Sequence, residues 1–274
     1  MIPSIRIGEL TVNRMGFGAM RVCGPNVWGP PRDRANALAV LRRAVALGVN
    51  FFDTADSYGP HVDEELIAEA LHPYPKDFVI ATKGGLLRPR PGAWDPEGRP
   101  EHLKKALDGS LKRLKLERVD LYQLHAPDSK VPFADSVGAL AEAQKAGKIR
   151  HVGVSNVTVK QLEEARKICP IVSVQNEYNL GDRSSEPVLK ACEKLGIAFL
   201  PWYPLGAGSV IKQDKVKAIA RKLHATGAQV ALAWLLRKSP AMLPIPGTSS
   251  IEHLEKNCAA AELALSDRDF DALS

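Results

Sequence analysis

Eight short apolar runs, each followed by a stretch of helical periodicity, restrict the fold of this chain more than any other feature. The runs occupy residues 15–18, 49–53, 78–82, 119–124, 149–154, 171–175, 197–202 and 242–246. They are apolar throughout rather than at every second position, the pattern of strands buried on both faces of a parallel sheet. Between them, residues 34–47, 64–71, 100–114, 133–146, 159–168, 187–195 and 216–238 carry apolar side chains at helical spacing. The last of these is interrupted near Ala225-Thr-Gly-Ala228 and predicts two helices. Thr158-Val-Lys-Gln161 and Ser249-Ser-Ile-Glu252 have the form of capping boxes. Gly48, Gly147 and Gly196 follow helices where a left-handed residue closes the last turn.

Eight β-then-α units within about 250 residues is the arithmetic of a (β/α)8 barrel, the TIM-barrel fold. Ahead of the first unit, Ser4-Ile-Arg-Ile-Gly-Glu-Leu-Thr-Val12 predicts a β-hairpin capping the barrel bottom. No linker-like or low-complexity stretch divides the chain, so one domain over residues 1–274 is expected. A doubly wound sheet is the alternative, but the GxGxxG turn it needs after the first strand is missing.

Composition excludes several classes. With 274 residues, 45% hydrophobic and 25% charged, the chain is made like a soluble globular protein with ample core. Its apolar stretches break well short of the ~20 residues of a membrane span. The start, MIPSIRIGEL, lacks the pattern of a secretory signal. Cys23, Cys169, Cys192 and Cys258 lie far apart with no CxxC pair, which argues against structural zinc and disulfides and suits the cytoplasm. The net charge of +6 comes from basic residues mixed with acids on helical patterns, without interleaved aromatics. Neither nucleic acid nor a membrane is therefore expected as a partner. The modest positive field favours an anionic cofactor or substrate, and the mixed surface suits a monomer or a small homo-oligomer equally.

In such a barrel the chemistry sits at the C-terminal ends of the strands. The second strand runs into Asp53-Thr-Ala-Asp-Ser-Tyr58-Gly59 and the third ends in Thr82-Lys83-Gly84-Gly85. The fourth ends in Gln123-Leu-His125, the fifth in Ser155-Asn156, the sixth in Gln175-Asn176, and the seventh in Trp202-Tyr203-Pro204-Leu205. Singly, Asp53, Tyr58, Lys83 and His125 have ordinary explanations as a cap, a core ring, a solvated cation and a loop side chain. Converging on one barrel mouth, they suit proton transfer to a carbonyl oxygen. A tyrosine with a pKa of about 10 is a poor partner at neutral pH. A nearby ammonium pulls that value down, and a carboxylate keeps the lysine charged. A histidine beside them orients the carbonyl and stabilises the developing oxyanion. No histidine–carboxylate cluster has metal-ligand spacing, so no metal is expected.

Phe51-Phe-Asp-Thr-Ala-Asp-Ser-Tyr-Gly59, Thr82-Lys-Gly-Gly85, Asp120-Leu-Tyr-Gln-Leu-His125, Gly153-Val-Ser-Asn156 and Val174-Gln-Asn-Glu-Tyr178 together resemble the aldo-keto reductase family over nearly the whole chain. The resemblance implies a (β/α)8 barrel that reduces aldehydes and ketones with a nicotinamide cofactor. It makes Tyr58 the proton donor, Lys83 and Asp53 its tuning groups, and His125 the residue that positions the carbonyl. It also implies that Ser155, Asn156 and Gln175 hold the nicotinamide carboxamide, that Trp202 stacks on the ring, and that Gly18, Ala19 and Met20 approach the ribose. Tyr203 and Pro204 lead into Leu205-Gly206-Ala-Gly208, which resembles the loop covering the pyrophosphate. Ile245, Gly247, Thr248, Ser249, Ser250, His253 and Asn257 match the adenosine-binding region. There Gly247 and His253 replace a lysine and an arginine common in the family, and Asn257 matches the adenine-contacting position. Hydroxyls and amides at this helix start still suit a phosphate, so NADPH is expected, with NADH open.

The loop from Ala19 to Asp33, with Tyr58-Gly-Pro-His-Val62 and Pro246-Gly-Thr-Ser-Ser250, resembles the bacterial branch of the family that contains pyridoxal reductases. Pyridoxal or a similar aromatic aldehyde is the expected substrate class, with Trp28, His61, Trp94 and Tyr203 as pocket walls. The segment 88–100 is either a lid or a long surface loop, and Cys23 is expected to be inert. The chain stops soon after Leu273, which predicts an open pocket. The alternative function is a redox-sensing regulatory subunit of the channel β-subunit type.

Overall fold

The computed structural model of the protein describes residues 3–274. β1 (Ser4–Ile7) and β2 (Leu10–Asn13) pair antiparallel around Gly8, whose φ of +60° makes the tight turn. The chain then enters the barrel through β3 (Phe17–Gly18), α1 (Arg34–Ala46), β4 (Phe51–Asp53), α2 (Val62–Leu71) and β5 (Val79–Gly84). A small antiparallel ribbon, β6 (Leu86–Leu87) with β7 (Asp95–Pro96), follows β5. Next come α3 (Pro100–Leu114), β8 (Val119–Leu124), α4 (Phe133–Lys145), β9 (Ile149–Ser155), α5 (Val159–Ile168), β10 (Ile171–Glu177), α6 (Glu186–Leu195) and β11 (Ala198–Trp202). The chain finishes with α7 (Asp214–Lys222), α8 (Gly227–Lys238), α9 (Ile251–Ala259) and α10 (Asp267–Leu273). The sheet runs parallel in the order β3-β4-β5-β8-β9-β10-β11.

The eighth run, 242–246, is not a full strand, yet it closes the barrel. Phe199 N donates to Ala241 O at 2.8 Å and Leu243 N to Phe199 O at 2.8 Å, while Gly16 N donates to Pro244 O at 3.0 Å. Pro244 and Pro246 have no N–H to offer, which thins the ladder at this seam.

Both faces of the parallel barrel strands are largely buried. In β5, Val79 and Ala81 join the barrel interior with Phe51, Leu121, Ala198, Leu200, Leu243 and Ile245, while Ile80 packs outward under the helices. Ile7 and Val12 of the hairpin belong to the interior cluster, so β1 and β2 plug the barrel at the strands' N-terminal ends. The chemistry is thereby confined to the opposite mouth.

Thr158 and Gln161 form the expected capping box, as do Thr226 and Gln229 at the start of α8. Ser249 and Glu252 do not. The helix starts one residue later: Ser250 caps α9 through His253 N, and Glu252 pairs with Lys256 instead. Gly48, Gly147 and Gly196 have φ of +86°, +78° and +65°. At the end of the chain, Arg183 donates to Leu273 O at 2.6 Å and to Ser274 O at 3.0 Å, and Trp234 Nε1 donates to Ser274 Oγ at 3.1 Å. These bonds hold the last residues on the barrel's flank, and none of residues 251–274 lines the mouth cavity. No helix among the described residues is long and apolar enough to cross a membrane.

Candidate active site

Three consecutive strand ends deliver the central cluster. Asp53 closes β4, Lys83 lies near the end of β5, and His125 follows β8. Lys83 is fully buried and donates three hydrogen bonds: to Asp53 Oδ1 at 2.6 Å, Thr54 O at 2.9 Å and the Tyr58 hydroxyl at 3.2 Å. The other carboxylate oxygen of Asp53 accepts from Gln175 Nε2 at 2.8 Å and Gln123 Nε2 at 3.2 Å. Asp53 is thus held from both sides, with its charge facing the Lys83 ammonium. The His125 ring stands edge-on to Tyr58 at 5.7 Å between centroids, with Ser57 Oγ 3.4 Å from its Nδ1. The sequence places Gln123 at the end of the fourth strand without giving it a role, because it lies inside an otherwise apolar run. Its signal is an amide at an inward position of a buried strand.

The electrostatics depart from expectation at one point. Burial pushes the Tyr58 hydroxyl up to about 12, although the Lys83 ammonium pulls the other way. The lysine offsets burial without overcoming it, so Tyr58 holds its proton at neutral pH, as a proton donor must. Burial works against the charge of Lys83 too, yet Asp53 and then Tyr58 outweigh it and raise the lysine above its usual value. Burial, reinforced by the Lys83 and Arg88 charges, holds His125 well below the usual imidazole range, so the ring is neutral. Burial pushes the Cys23 thiol up to about 12, which disfavours the reactive thiolate.

Behind the cluster lie buried carboxylates that sequence reasoning missed. Thr54 Oγ1 donates to Asp63 at 2.8 Å, and Thr82 Oγ1 and Arg113 both donate to Glu64. Burial, with Glu64 adding to it, pushes Asp56 up to about 8. Burial likewise pushes Asp63 up to about 7, against the Thr54 hydrogen bond. An unfolded aspartate titrates near 3.9. Between about pH 4 and pH 8 the folded state therefore keeps protons that the unfolded state releases, and stability falls as pH rises through that window. Asp56→Asn removes its share of the fall. The expected result is a gap in melting temperature between pH 5 and pH 8 that is narrower by roughly 5 °C. An unchanged gap would mean that Asp56 is ionised in the fold.

A cavity of about 390 Å³ opens above this cluster, the size of a ligand pocket. Asp53, Tyr58 and His125 line it, as do Gly18, Met20, Ser155, Asn156, Gln175, Trp202, Tyr203, Pro204, Leu205, Ile245 and Gly247. The Trp202 indole donates to Asn156 Oδ1 at 3.0 Å, and Asn156 Nδ2 donates to His125 O at 2.9 Å, which fixes the indole relative to the catalytic end. Asn156 has φ of +58°, a conformation asparagine tolerates. A Cβ on Gly18 would meet Ile245 O at 2.5 Å, and one on Gly247 would meet Gly18 O at 2.5 Å, so glycine is required at both. Arg21, which sequence reasoning passed over directly after Met20, lines the cavity beside Gly247. Ring face, amides and cation along one cavity fit a nicotinamide dinucleotide.

Other expected cofactor residues lie off this lining. Ala19 is fully buried. Gly206 and Gly208 flank Ala207, which does line the cavity, in a left-handed turn. Thr248 Oγ1 accepts from Ser250 N, Ser249 O accepts from Asn36, and Ser250 Oγ is committed to the helix cap. His253 and Asn257 lie further along α9, with Asn257 buried. Among the expected walls, Trp94 and Tyr203 line the cavity, whereas Trp28 and His61 do not. Trp28 bridges to Gly59, and His61 sits at the start of α2 with φ of +74°. Segment 88–100 carries β7, and Trp94 within it stands edge-on to both Tyr58 and His125. A larger hollow of about 700 Å³ at the base of the barrel carries none of these groups. Among the described residues no cluster of three or more His, Cys, Asp or Glu side chains is arranged to hold a metal.

Comparison with known proteins agrees with this geometry. The Aldo/keto reductase family matches residues 14–274. The chain is 46% identical over 273 residues to pyridoxine 4-dehydrogenase of Escherichia coli, covering 97% of this chain and 96% of the relative. It is 49% identical over 271 residues to an uncharacterized oxidoreductase of Schizosaccharomyces pombe, covering 98% and 88% of the two chains. The solved aldo-keto reductase from Klebsiella pneumoniae in complex with NADPH superposes with a TM-score of 0.86 at 26% identity, covering 100% of this chain and 94% of that one. A thermostable aldo-keto reductase bound to the inhibitor epalrestat gives 0.88 at 31% identity, with 99% and 98% covered. The fold and the site define a barrel oxidoreductase. The chain belongs to the aldo/keto reductase family and is an NAD(P)H-dependent oxidoreductase.

Proposed function

We propose that the protein reduces an aromatic aldehyde of the pyridoxal type to its alcohol with NADPH, and oxidises the corresponding pyridoxine-type alcohol in reverse. One observation carries the reading: the Asp53–Lys83–Tyr58 chain, with links of 2.6 and 3.2 Å, ends at the floor of a cavity that also holds His125 and Trp202. The 46% identity to pyridoxine 4-dehydrogenase supports the substrate class. Arg21 beside Gly247 supplies a cation for the phosphate that distinguishes NADPH.

The nicotinamide supplies the hydride that reduces the carbonyl carbon. The protein's residues do the rest. Tyr58 gives its hydroxyl proton to the oxygen that becomes the alcohol, and Lys83 stabilises the phenolate left behind. Asp53 keeps Lys83 charged while Gln123 and Gln175 hold Asp53 in place. Neutral His125 donates to the same oxygen and fixes its direction. Ser155, Asn156 and Gln175 would hold the carboxamide end of the cofactor, and Trp202 would stack on its ring. The net change consumes one proton from solution. The reading is of a cytosolic enzyme acting on a free small molecule, which its four free cysteines suit.

Initial rates with pyridoxal and with benzaldehyde, each with NADPH and NADH, test this. The expected kcat/KM for pyridoxal exceeds that for benzaldehyde at least tenfold, about 1.4 kcal/mol of discrimination, and NADPH outperforms NADH. Equal or slower turnover of pyridoxal removes the substrate assignment. A preference for NADH removes the cofactor assignment.

A further inference from the structure

The active-site mechanism leaves one buried cation unused. Arg88 directly follows β6, is 8% exposed, and forms no ion pair with any carboxylate among the described residues. Its guanidinium lies 3.6 Å from the centre of the Trp94 ring and 5.6 Å from that of Trp28. Nη1 donates to Ser57 O at 3.3 Å and Nη2 to Asn26 O at 3.2 Å, while Nε is buried without a partner. One side chain thus ties together the loops that follow β3, β4 and β5. Leu87 pairs with Asp95 in the ribbon, which sets Arg88 and Trp94 as the next facing residues, at the end where the connecting loop begins. Trp94 in turn stands 6.2 Å from Tyr58 and 6.5 Å from His125 between ring centroids.

A guanidinium buried without a counterion costs free energy that indole faces and carbonyls only partly offset. An apolar side chain would fill the same space without that cost. What only the guanidinium provides is a plane to stack on the indole together with fixed donors to two other loops.

We propose that Arg88 is a positioning residue for substrate selectivity: it clamps Trp94 edge-on above Tyr58 and His125, so that the indole forms the wall against which an aromatic aldehyde lies. This rests on the reductase reading above. The clamp acts on binding rather than on proton transfer, so its loss falls mainly on KM.

Fluorine NMR of the full chain labelled with 5-fluorotryptophan reads the clamp without substrate, with the Trp94 signal assigned from Trp94→Phe. Arg88→Met is expected to shift and broaden that signal. Arg88→Lys, which keeps the charge but not the plane, restores it only in part and serves where the methionine variant fails to fold. In the rate assay, Arg88→Met raises KM for an aromatic aldehyde about tenfold. The double variant with Trp94→Ala then loses no more than Trp94→Ala alone. An unchanged Trp94 signal in both Arg88 variants, or losses that multiply in the double variant, would overturn the proposal. If none of the aldehydes supports NADPH oxidation by the wild type, the reductase reading fails on its own, and the NMR signal still decides the clamp.

Discussion

Tyr58→Phe lowers kcat for aldehyde reduction by about 10²–10⁴-fold, the contribution of a well-placed general acid. The hydroxyl is the one group within 3.2 Å of Lys83 Nζ that can deliver a proton to the cavity. Removing one oxygen atom leaves the ring in place against His125 and Trp94. NADPH affinity, measured by fluorescence titration, is therefore expected to stay within about twofold, and kcat and kcat/KM to fall together, the signature of an interaction made in the transition state. Burial pushes the hydroxyl up to about 12, so the wild-type rate is expected to show no loss from Tyr58 ionisation across the neutral range.

Lys83→Met has the largest expected effect on stability as well as on rate. It leaves Asp53 as a buried carboxylate with only the Gln123 and Gln175 amides for partners. Breaking a buried pair from one side costs about 3–5 kcal/mol, or a fall in melting temperature of roughly 10 °C for a chain of this size. Turnover falls with it, because nothing then stabilises the Tyr58 phenolate. The double variant Lys83→Met/Asp53→Asn, which removes the stranded charge, recovers much of the melting temperature and none of the activity. Calorimetry and the rate assay together check this; a double variant no more stable than Lys83→Met would show that the pair is not the source of the loss.

The apolar runs revealed the barrel because a strand covered on both sides has no solvent face to break its pattern, as Val79, Ile80 and Ala81 show. The same rule hid the irregularity at 242–246, where prolines satisfy the apolar pattern but cannot donate to a ladder. At the site, the convergence of Asp53, Lys83 and His125 was legible because each lies at or beside the C-terminal end of a strand, and strand ends fix direction. Trp28 and His61 were not, because loop paths depend on tertiary contacts such as Trp28 with Gly59. The direction of the Tyr58 shift required knowing how much water the fold excludes, which no spacing reports. The contacts of Gln123 with Asp53 and of Arg88 with Trp94 went unread because they depend on which side chain faces each in the fold.

The central claim is that Tyr58 completes a carbonyl reduction at this cavity. The most direct measurement follows NADPH consumed and alcohol formed in the same reaction, for the wild type and Tyr58→Phe side by side. The account requires one alcohol per NADPH in the wild type and neither change at a comparable rate in the variant. Alcohol formed equally fast by Tyr58→Phe, or NADPH consumed by the wild type without alcohol, would contradict it.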